Sequence, residues 1–529
     1  MILPFFFLFI TLFLSYLPAF FVEYAHHDGY ILLTKIPGHI SAHPLSEKSF
    51  MMGRFLSVPF ANLYRALPSD MNDMGLLRFI TFAMIFFTAC IYFRFIHRCL
   101  SNTLFSFFVC ILTFTLPSFS SFIAWEVPAV APANVLSALA AVIIIVMPPL
   151  SFSKSLMNKK MLIGFILLLS AQSTYPSSAT FYWAFVAGVF LFFKRGENRK
   201  IHLLRLVFVG LLSIAIYGLI LQFTRQYFMN SLVNSYNPYF ITKNPIQKLT
   251  WFISEPFFNT LNLWNIIPDK RYAFFVLLLI FTGGLAAFIR NFREQQSLNR
   301  TCRTAIGCIV LMTALISLSY LPNLMSITDI ASYRCTTGLS SILILVCIWA
   351  LREIQIFFWG SAHKLITVGI LLTIAVNGLL RNYDTVLYYR AIPSYLEFNF
   401  IKNELKSLPL EHYNRIHFIL PVRHPPYRYD EFGTPTSYFF ETSCAMLFSA
   451  IAQNHKDKKI QYIRIESADG YINLKFSDSS GRLTTYNLNL SFSFGAETFE
   501  RNAATYVLDM RRFTEAYKIF LKKECRYCK

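Results

Sequence analysis

The sequence is poor in charged residues, and its acids are scarcer than its bases. Asp, Glu, Lys and Arg make up 14% of the 529 residues, whereas 55% are hydrophobic. Soluble domains carry about 25% charged residues. The 48 Lys and Arg outnumber the 28 Asp and Glu and give a formal net charge of +20. This composition excludes an ordinary soluble protein and predicts a protein of the membrane.

Several motifs that would identify a soluble enzyme are missing. The chain has no Gly-rich phosphate loop, no Gly-x-Ser-x-Gly and no His-Glu-x-x-His. No basic face alternates with stacking aromatics, so a nucleic-acid partner is not expected. The terminal Cys525-x-x-Cys528 has no second cysteine pair, and no metal site is predicted from it.

Long apolar runs dominate what is present. A helix needs about 20 apolar residues to cross the hydrocarbon of a bilayer. About eleven runs approach this length, and the first is interpreted as an uncleaved span because it lacks the basic start and cleavage site of a signal peptide. They lie at roughly 3–22, 76–97, 103–123, 129–149, 161–175, 180–193, 203–223, 272–289, 304–321, 335–352 and 363–380.

Lys and Arg concentrate in alternate loops between these runs. The positive-inside rule makes those loops cytoplasmic. The N-terminus is then inside, while the long loops 23–75 and 224–271 and the tail lie outside. The sequence therefore predicts an α-helical polytopic membrane domain over 1–380. Topology and anionic membrane lipids account for much of the net charge.

The tail, 381–529, has a different character. Strand-like alternation and helical spacing both occur, which predicts a small extracytoplasmic α/β or α+β domain. The alternation falls at 417–422, 461–466, 471–476 and 483–492, and the helical spacing at 438–452 and 513–521. An oxidising compartment would permit a disulfide from Cys444 to Cys525 or Cys528, and the pairing stays open.

The first outer loop opens with ionisable residues. Glu23, His26, His27 and Asp28 follow the first span directly. A carboxylate in this place can accept a proton from an acceptor hydroxyl, so Asp28 is the leading candidate for a catalytic base and Glu23 the second. The alternative is a solvated loop carboxylate.

Further candidates for substrate binding lie at the predicted outer ends of spans. Arg54 lies near the start of a segment, 51–67, whose pattern predicts a helix in the interface plane. An arginine here can pair with a lipid phosphate, and the alternative is an arginine that anchors the protein at the interface. The other candidates are Glu126, Tyr175, Arg225, Tyr333 and Arg334. The aromatics of loop 224–271 indicate either an interfacial belt or a platform for a sugar or an acyl chain.

This arrangement resembles the GT-C superfamily of membrane glycosyltransferases, and within it the bacterial serotype-converting O-antigen glucosyltransferases of type II. The resemblance rests on four short motifs and on the architecture of roughly 350 residues. The motifs are His27-Asp28-Gly29-Tyr30, Gly53-Arg54-Phe55, Ser173-Thr174-Tyr175-Pro176 and Ser332-Tyr333-Arg334.

The resemblance implies transfer of a sugar from a polyprenyl-phosphate donor, with inversion at the anomeric carbon. The acceptor would be a surface glycan such as lipopolysaccharide, a lipid or a protein, and the site would face outward from a bacterial inner membrane. Members of the superfamily often carry paired acids at the first site, where this chain has His27 beside Asp28. The sequence identifies no cofactor and leaves a divalent cation open.

Three other classes of function compete with this interpretation. A polysaccharide polymerase or ligase also takes lipid-linked donors and has large outer loops. A transporter or lipid flippase would place acids within its spans or show matched broken helices, and neither is evident in the sequence. A receptor or structural factor is the third, because architecture alone does not fix function.

Overall fold

The structure is a computed structural model of the 529-residue chain. It describes residues 2–24, 53–67, 73–124, 129–148, 158–193, 197–229, 244–264, 271–326, 332–359, 363–407, 415–419, 462–467, 470–477, 487–493 and 505–509.

Helices make up the described part of the chain up to residue 407. In chain order they are α1 (Ile2–Phe21), α2 (Ser57–Ala66), α3 (Asp73–Leu100), α4 (Thr103–Phe114), α5 (Pro117–Ala124), α6 (Val130–Ile145), α7 (Lys159–Thr174), α8 (Pro176–Ala179), α9 (Tyr182–Phe192), α10 (Glu197–Met229), α11 (Pro245–Phe252), α12 (Phe258–Leu261), α13 (Arg271–Gln295), α14 (Leu298–Leu318), α15 (Leu321–Met325), α16 (Thr337–Trp359), α17 (His363–Val386) and α18 (Ile392–Ser407). Short π-helices join α11 to α12 and α17 to α18, and a 3₁₀ turn, Tyr333–Cys335, precedes α16.

Seven of the described helices are long and apolar enough to cross a membrane. They are α1, α3, α10, α13, α14, α16 and α17, and they coincide with seven predicted spans. An eighth is counted if α4 and α5, which bend by 58° at a short break, form one span. The protein is therefore a helical, multi-pass membrane protein, and the count of eleven spans stays a prediction.

Prolines explain why other predicted spans are broken or short. Residues before a proline avoid the α-helical conformation. The predicted span 103–123 bends just before Pro117, which starts α5. Likewise Tyr175 is extended, with φ −154° and ψ 99°, where α7 ends and Pro176 begins α8.

Aromatic and small residues set the packing of the helices. α1 runs antiparallel to α3, because Phe5 lies 5.3 Å from Phe93 and Phe20 lies 5.8 Å from Phe79 between ring centroids. Such ring pairs stabilise a fold by about 0.5–1.5 kcal/mol beyond the area that they bury. Gly283 of α13 lies directly on the backbone of α16, where a side chain would clash. Small residues allow such close approach between membrane helices.

The described part of the tail contains a five-stranded sheet. Its strands are β1 (Arg415–Ile419), β2 (Tyr462–Ser467), β3 (Gly470–Ser477), β4 (Asn487–Ser493) and β5 (Thr505–Asp509), in the order β4-β3-β2-β1-β5. β1 pairs in parallel with β2 and β5, and the other pairs are antiparallel.

The four segments of predicted alternation in the tail overlap β1 to β4, while β5 was not predicted. The segments of helical spacing, 438–452 and 513–521, lie outside the described residues. Position 380, where the sequence placed the domain boundary, lies inside α17, and helical structure continues to Ser407.

Candidate functional site

A tight turn places Arg54 against the end of α7. The Leu56 N–H donates to the Ser173 carbonyl oxygen over 3.1 Å. Gly53 has φ +69°, a conformation that favours glycine, and a Cβ there would lie 2.7 Å from the Tyr217 hydroxyl oxygen. The turn therefore fits closely between α7 and α10. The in-plane helix expected from 51 begins only at Ser57, so Arg54 precedes it.

Arg54 lies over the ring of Tyr175. Its guanidinium carbon is 4.4 Å from the ring centroid, and Tyr175 is only 4% exposed. A cation over an aromatic face is attracted by about 0.5–2 kcal/mol, more when water is excluded. The Tyr175 ring thus holds the guanidinium of Arg54 at the end of α7.

The motif Ser332-Tyr333-Arg334 packs next to the segment that follows Tyr175. The 3₁₀ turn Tyr333–Cys335 packs against α5 and α8, with Tyr333 buried and Arg334 half-buried. The Thr336 hydroxyl donates to the Tyr333 carbonyl oxygen over 2.8 Å and supports the turn. Gly338, at the start of α16, lies directly on the Thr180 backbone, without room for a side chain. We refer to segments 53–55, 173–180 and 332–338 together as the three-segment junction.

Buried hydroxyl groups line this junction. Ser173 Oγ, Ser178 Oγ and Thr337 Oγ1 are inaccessible and have no hydrogen-bond partner within the described part of the chain. Buried polar groups are nearly always hydrogen-bonded. The junction thus combines two half-buried arginines with hydroxyls that are closed off from solvent.

A buried arginine joins the end of α1 to α3. Arg78 is fully buried and donates to the carbonyl oxygens of Ala19, Val22 and Tyr24, the last two over 3.1 Å and 2.6 Å. Its guanidinium carbon also lies 3.9 Å from the centroid of the Tyr24 ring. The Tyr24 hydroxyl in turn donates to the carbonyl oxygen of Ala124, the last residue of α5, over 3.2 Å. The ends of α1 and α5 therefore meet.

Sequence reasoning missed the role of Arg78. The residue lies inside the predicted span 76–97, and an arginine within a span marks a structural or functional site. That signal was present in the sequence, but the partners are backbone carbonyls and carry no sequence pattern.

The short helix α2 is fixed to the bundle close to this arginine. The hydroxyls of Tyr64 and Thr81 are hydrogen-bonded over 2.8 Å and join α2 to α3. Burial raises the pKa of the Tyr64 phenol, and the hydrogen bond to Thr81 lowers it by a smaller amount. The phenol therefore stays neutral at physiological pH.

Of the three predicted acids, Glu23 lies within the described residues. It is exposed and follows the last residue of α1 by two positions. His27, Asp28 and Glu126 lie outside the described residues, as does the side chain of Arg225, whose backbone belongs to α10. In the described segments, no three His, Cys, Asp or Glu side chains come together to hold a metal ion.

These features define the class of the protein. It is an α-helical, multi-pass integral membrane protein with a polar, cationic junction where several helices end. No protein-family model matches the chain, and no curated protein sequence matches it.

Proposed function

We propose that the protein is a membrane glycosyltransferase of the GT-C type. It would move a sugar from a polyprenyl-phosphate donor to a surface glycan, lipid or protein on the extracytoplasmic side of a bacterial inner membrane. The proposal includes eleven spans, an N-terminus inside and an extracytoplasmic domain in the tail. The observation that carries it is that two segments distant in sequence, around Arg54 and around Arg334, both contact the segment 173–180.

The charges of the junction suit a phosphate leaving group. Arg54 is half-buried and oriented by Tyr175, and Arg334 is half-buried on the neighbouring 3₁₀ turn. Both cations lie in protein segments where water is partly excluded, which strengthens their effect on charge that develops in a transition state.

Asp28 is assigned as the base from its place in the sequence, a few residues after α1. Tyr24, the last described residue before it, is held by Arg78 and by the carbonyl of Ala124. The exposed carboxylate of Glu23 is the second candidate.

In the proposed reaction, the carboxylate of Asp28 takes the proton of the acceptor hydroxyl. The acceptor oxygen forms a bond to the anomeric carbon from the face opposite to the phosphate. The bond from that carbon to the phosphate oxygen breaks, and its electron pair leaves with the polyprenyl phosphate. Arg54, Arg334 or Arg225 would stabilise the negative charge of the leaving phosphate.

The test is transfer of label from a radioactive polyprenyl-phosphate sugar to cell-envelope extract. Membranes would contain the wild type, Asp28→Asn, or Asp70→Asn as a matched control in the same loop. We expect transfer by the wild type and the control, and its loss in Asp28→Asn at equal membrane content. Full transfer by Asp28→Asn would remove Asp28 from the mechanism. No transfer by the wild type, across several donor sugars, would contradict the proposed reaction.

A further inference from the structure

The short helix α11 presents three different surfaces. Its protein-facing side consists of Lys248 and Phe252, which are 4% and 3% exposed. The Lys248 ammonium lies 4.0 Å from the centroid of the Trp251 ring, and the Phe252 ring lies 5.3 Å from that of Tyr320. The charged residue of this helix therefore faces the protein, and aromatic contacts fix the helix about its own axis.

The exposed side of α11, together with Ile253 and Ser254 at the start of the π-helix that follows it, divides into an apolar and a polar part. Ile246, Leu249 and Ile253 are aliphatic and are 78%, 49% and 47% exposed. With about 100° of rotation per residue in an α-helix, Ile246 and Leu249 lie about 60° apart, and Ile253 directly follows α11. We call all three the apolar sector of α11.

Three further exposed positions are polar. They are Gln247, Thr250 and Ser254. On the same rotation Gln247 and Thr250 fall beside the apolar sector, at about 40–100° from Ile246. We call all three the polar sector of α11. A helix with one side on protein, one apolar side and one polar side fits a boundary between lipid and water.

The neighbours of α11 place it at such a boundary. It packs against α15, which directly follows α14, one of the seven helices long enough to cross a membrane. α15 also packs against α8 of the three-segment junction. Through α15, α11 thus lies next to the C-terminal end of a membrane span and close to the junction.

We infer that α11 lies in the plane of the membrane interface, with its apolar sector against the acyl chains of the adjoining leaflet. The polar sector faces the water and the lipid head groups. The apolar sector then lies about 5–10 Å below the head groups, as in other interfacial helices. This assignment does not depend on the proposed reaction, because it rests on the exposure pattern and the packing of α11.

The test places a fluorescent amino acid, by codon suppression, at each of the six exposed positions in turn. Each full-length variant is reconstituted in lipid nanodiscs that hold one protein each, with acyl chains that carry or lack bromine. Bromine quenches a fluorophore only by contact within the bilayer, and iodide added to the buffer quenches one in water.

We expect bromine to remove most of the fluorescence at 246, 249 and 253 and little at 247, 250 and 254. Iodide should show the reverse. Equal quenching of both sectors by iodide, with none by bromine, would overturn the inference. Protection of the apolar sector from both quenchers would also overturn it, because protein and not lipid would then cover this surface.

Discussion

Replacing Arg78 with methionine removes the guanidinium that holds the end of α1. Three carbonyl oxygens, those of Ala19, Val22 and Tyr24, lose a charged donor, and the Tyr24 ring loses its cation. A hydrogen bond from a charged group contributes about 1.5–3 kcal/mol. A buried carbonyl oxygen left without a donor costs about 1–3 kcal/mol. For the three carbonyls together we expect a loss of local stability of about 3 kcal/mol, because carbonyls near the helix end regain some contact with water.

Amide hydrogen exchange measures this loss where it occurs. A loss of 3 kcal/mol in local stability speeds exchange by about 100-fold, since 1.4 kcal/mol corresponds to tenfold. The amides of residues 20–24 should show the effect first. Arg78→Lys keeps the charge but not the planar fork, so its exchange should fall between the wild type and Arg78→Met.

Arg94 provides the matched control in the same helix. It is exposed, and its guanidinium carbon lies 5.7 Å from the centroid of the Phe5 ring. Contacts of this kind contribute about 0.5–1 kcal/mol. Arg94→Met should therefore change exchange by less than about tenfold. Equal exchange at residues 20–24 in Arg78→Met and Arg94→Met would refute the account of Arg78.

Two further substitutions test the packing of the bundle. Gly53→Ala should lower the free energy of unfolding by about 1–3 kcal/mol, because the positive φ and the close Tyr217 hydroxyl both oppose a Cβ. Gly218 has open space around it, so the control Gly218→Ala should be neutral or slightly stabilising in thermal unfolding. Glu353→Gln should lower the free energy of unfolding by roughly 1–3 kcal/mol, because the buried Glu353 carboxylate lies 2.8 Å from the one-third-exposed Arg290. The control Glu294→Gln breaks a more exposed pair with Arg290 at 3.7 Å and should cost less than about 1 kcal/mol. A greater loss of thermal stability in Gly218→Ala than in Gly53→Ala, or in Glu294→Gln than in Glu353→Gln, would contradict these assignments.

The membrane helices follow from hydropathy where an apolar run is long and free of a break. The run 203–223 lies wholly within α10, and the run 335–352 falls largely on α16. Hydropathy does not predict where a proline interrupts a helix, because Pro117 and Pro176 can lie inside an apolar run as well as at its end. The runs 103–123 and 161–175 therefore correspond to a bent helix pair and to a helix that ends before a proline.

The three-segment junction could likewise be predicted only in part. The sequence indicated Arg54, Tyr175 and Arg334 one by one, from their motifs and from their places at predicted span ends. The stack of Arg54 on Tyr175 was not predictable, because it requires the turn at Gly53 to reach the end of α7. The backbone contacts of Arg78 were equally hidden, since every residue offers a carbonyl oxygen.

The central claim is that the three-segment junction recognises the phosphate of a lipid-linked donor. The most direct test measures binding of radiolabelled polyprenyl phosphate, and of the matching uncharged polyprenol, to the purified protein in nanodiscs. We predict saturable binding that requires the phosphate. Arg54→Gln and Arg334→Gln should each weaken binding of polyprenyl phosphate by about tenfold or more, as expected for loss of a charged hydrogen bond. The control Arg300→Gln, at an exposed arginine, should not weaken it. Equal binding of the phosphate and the alcohol, or binding by both variants that matches the control, would contradict the claim.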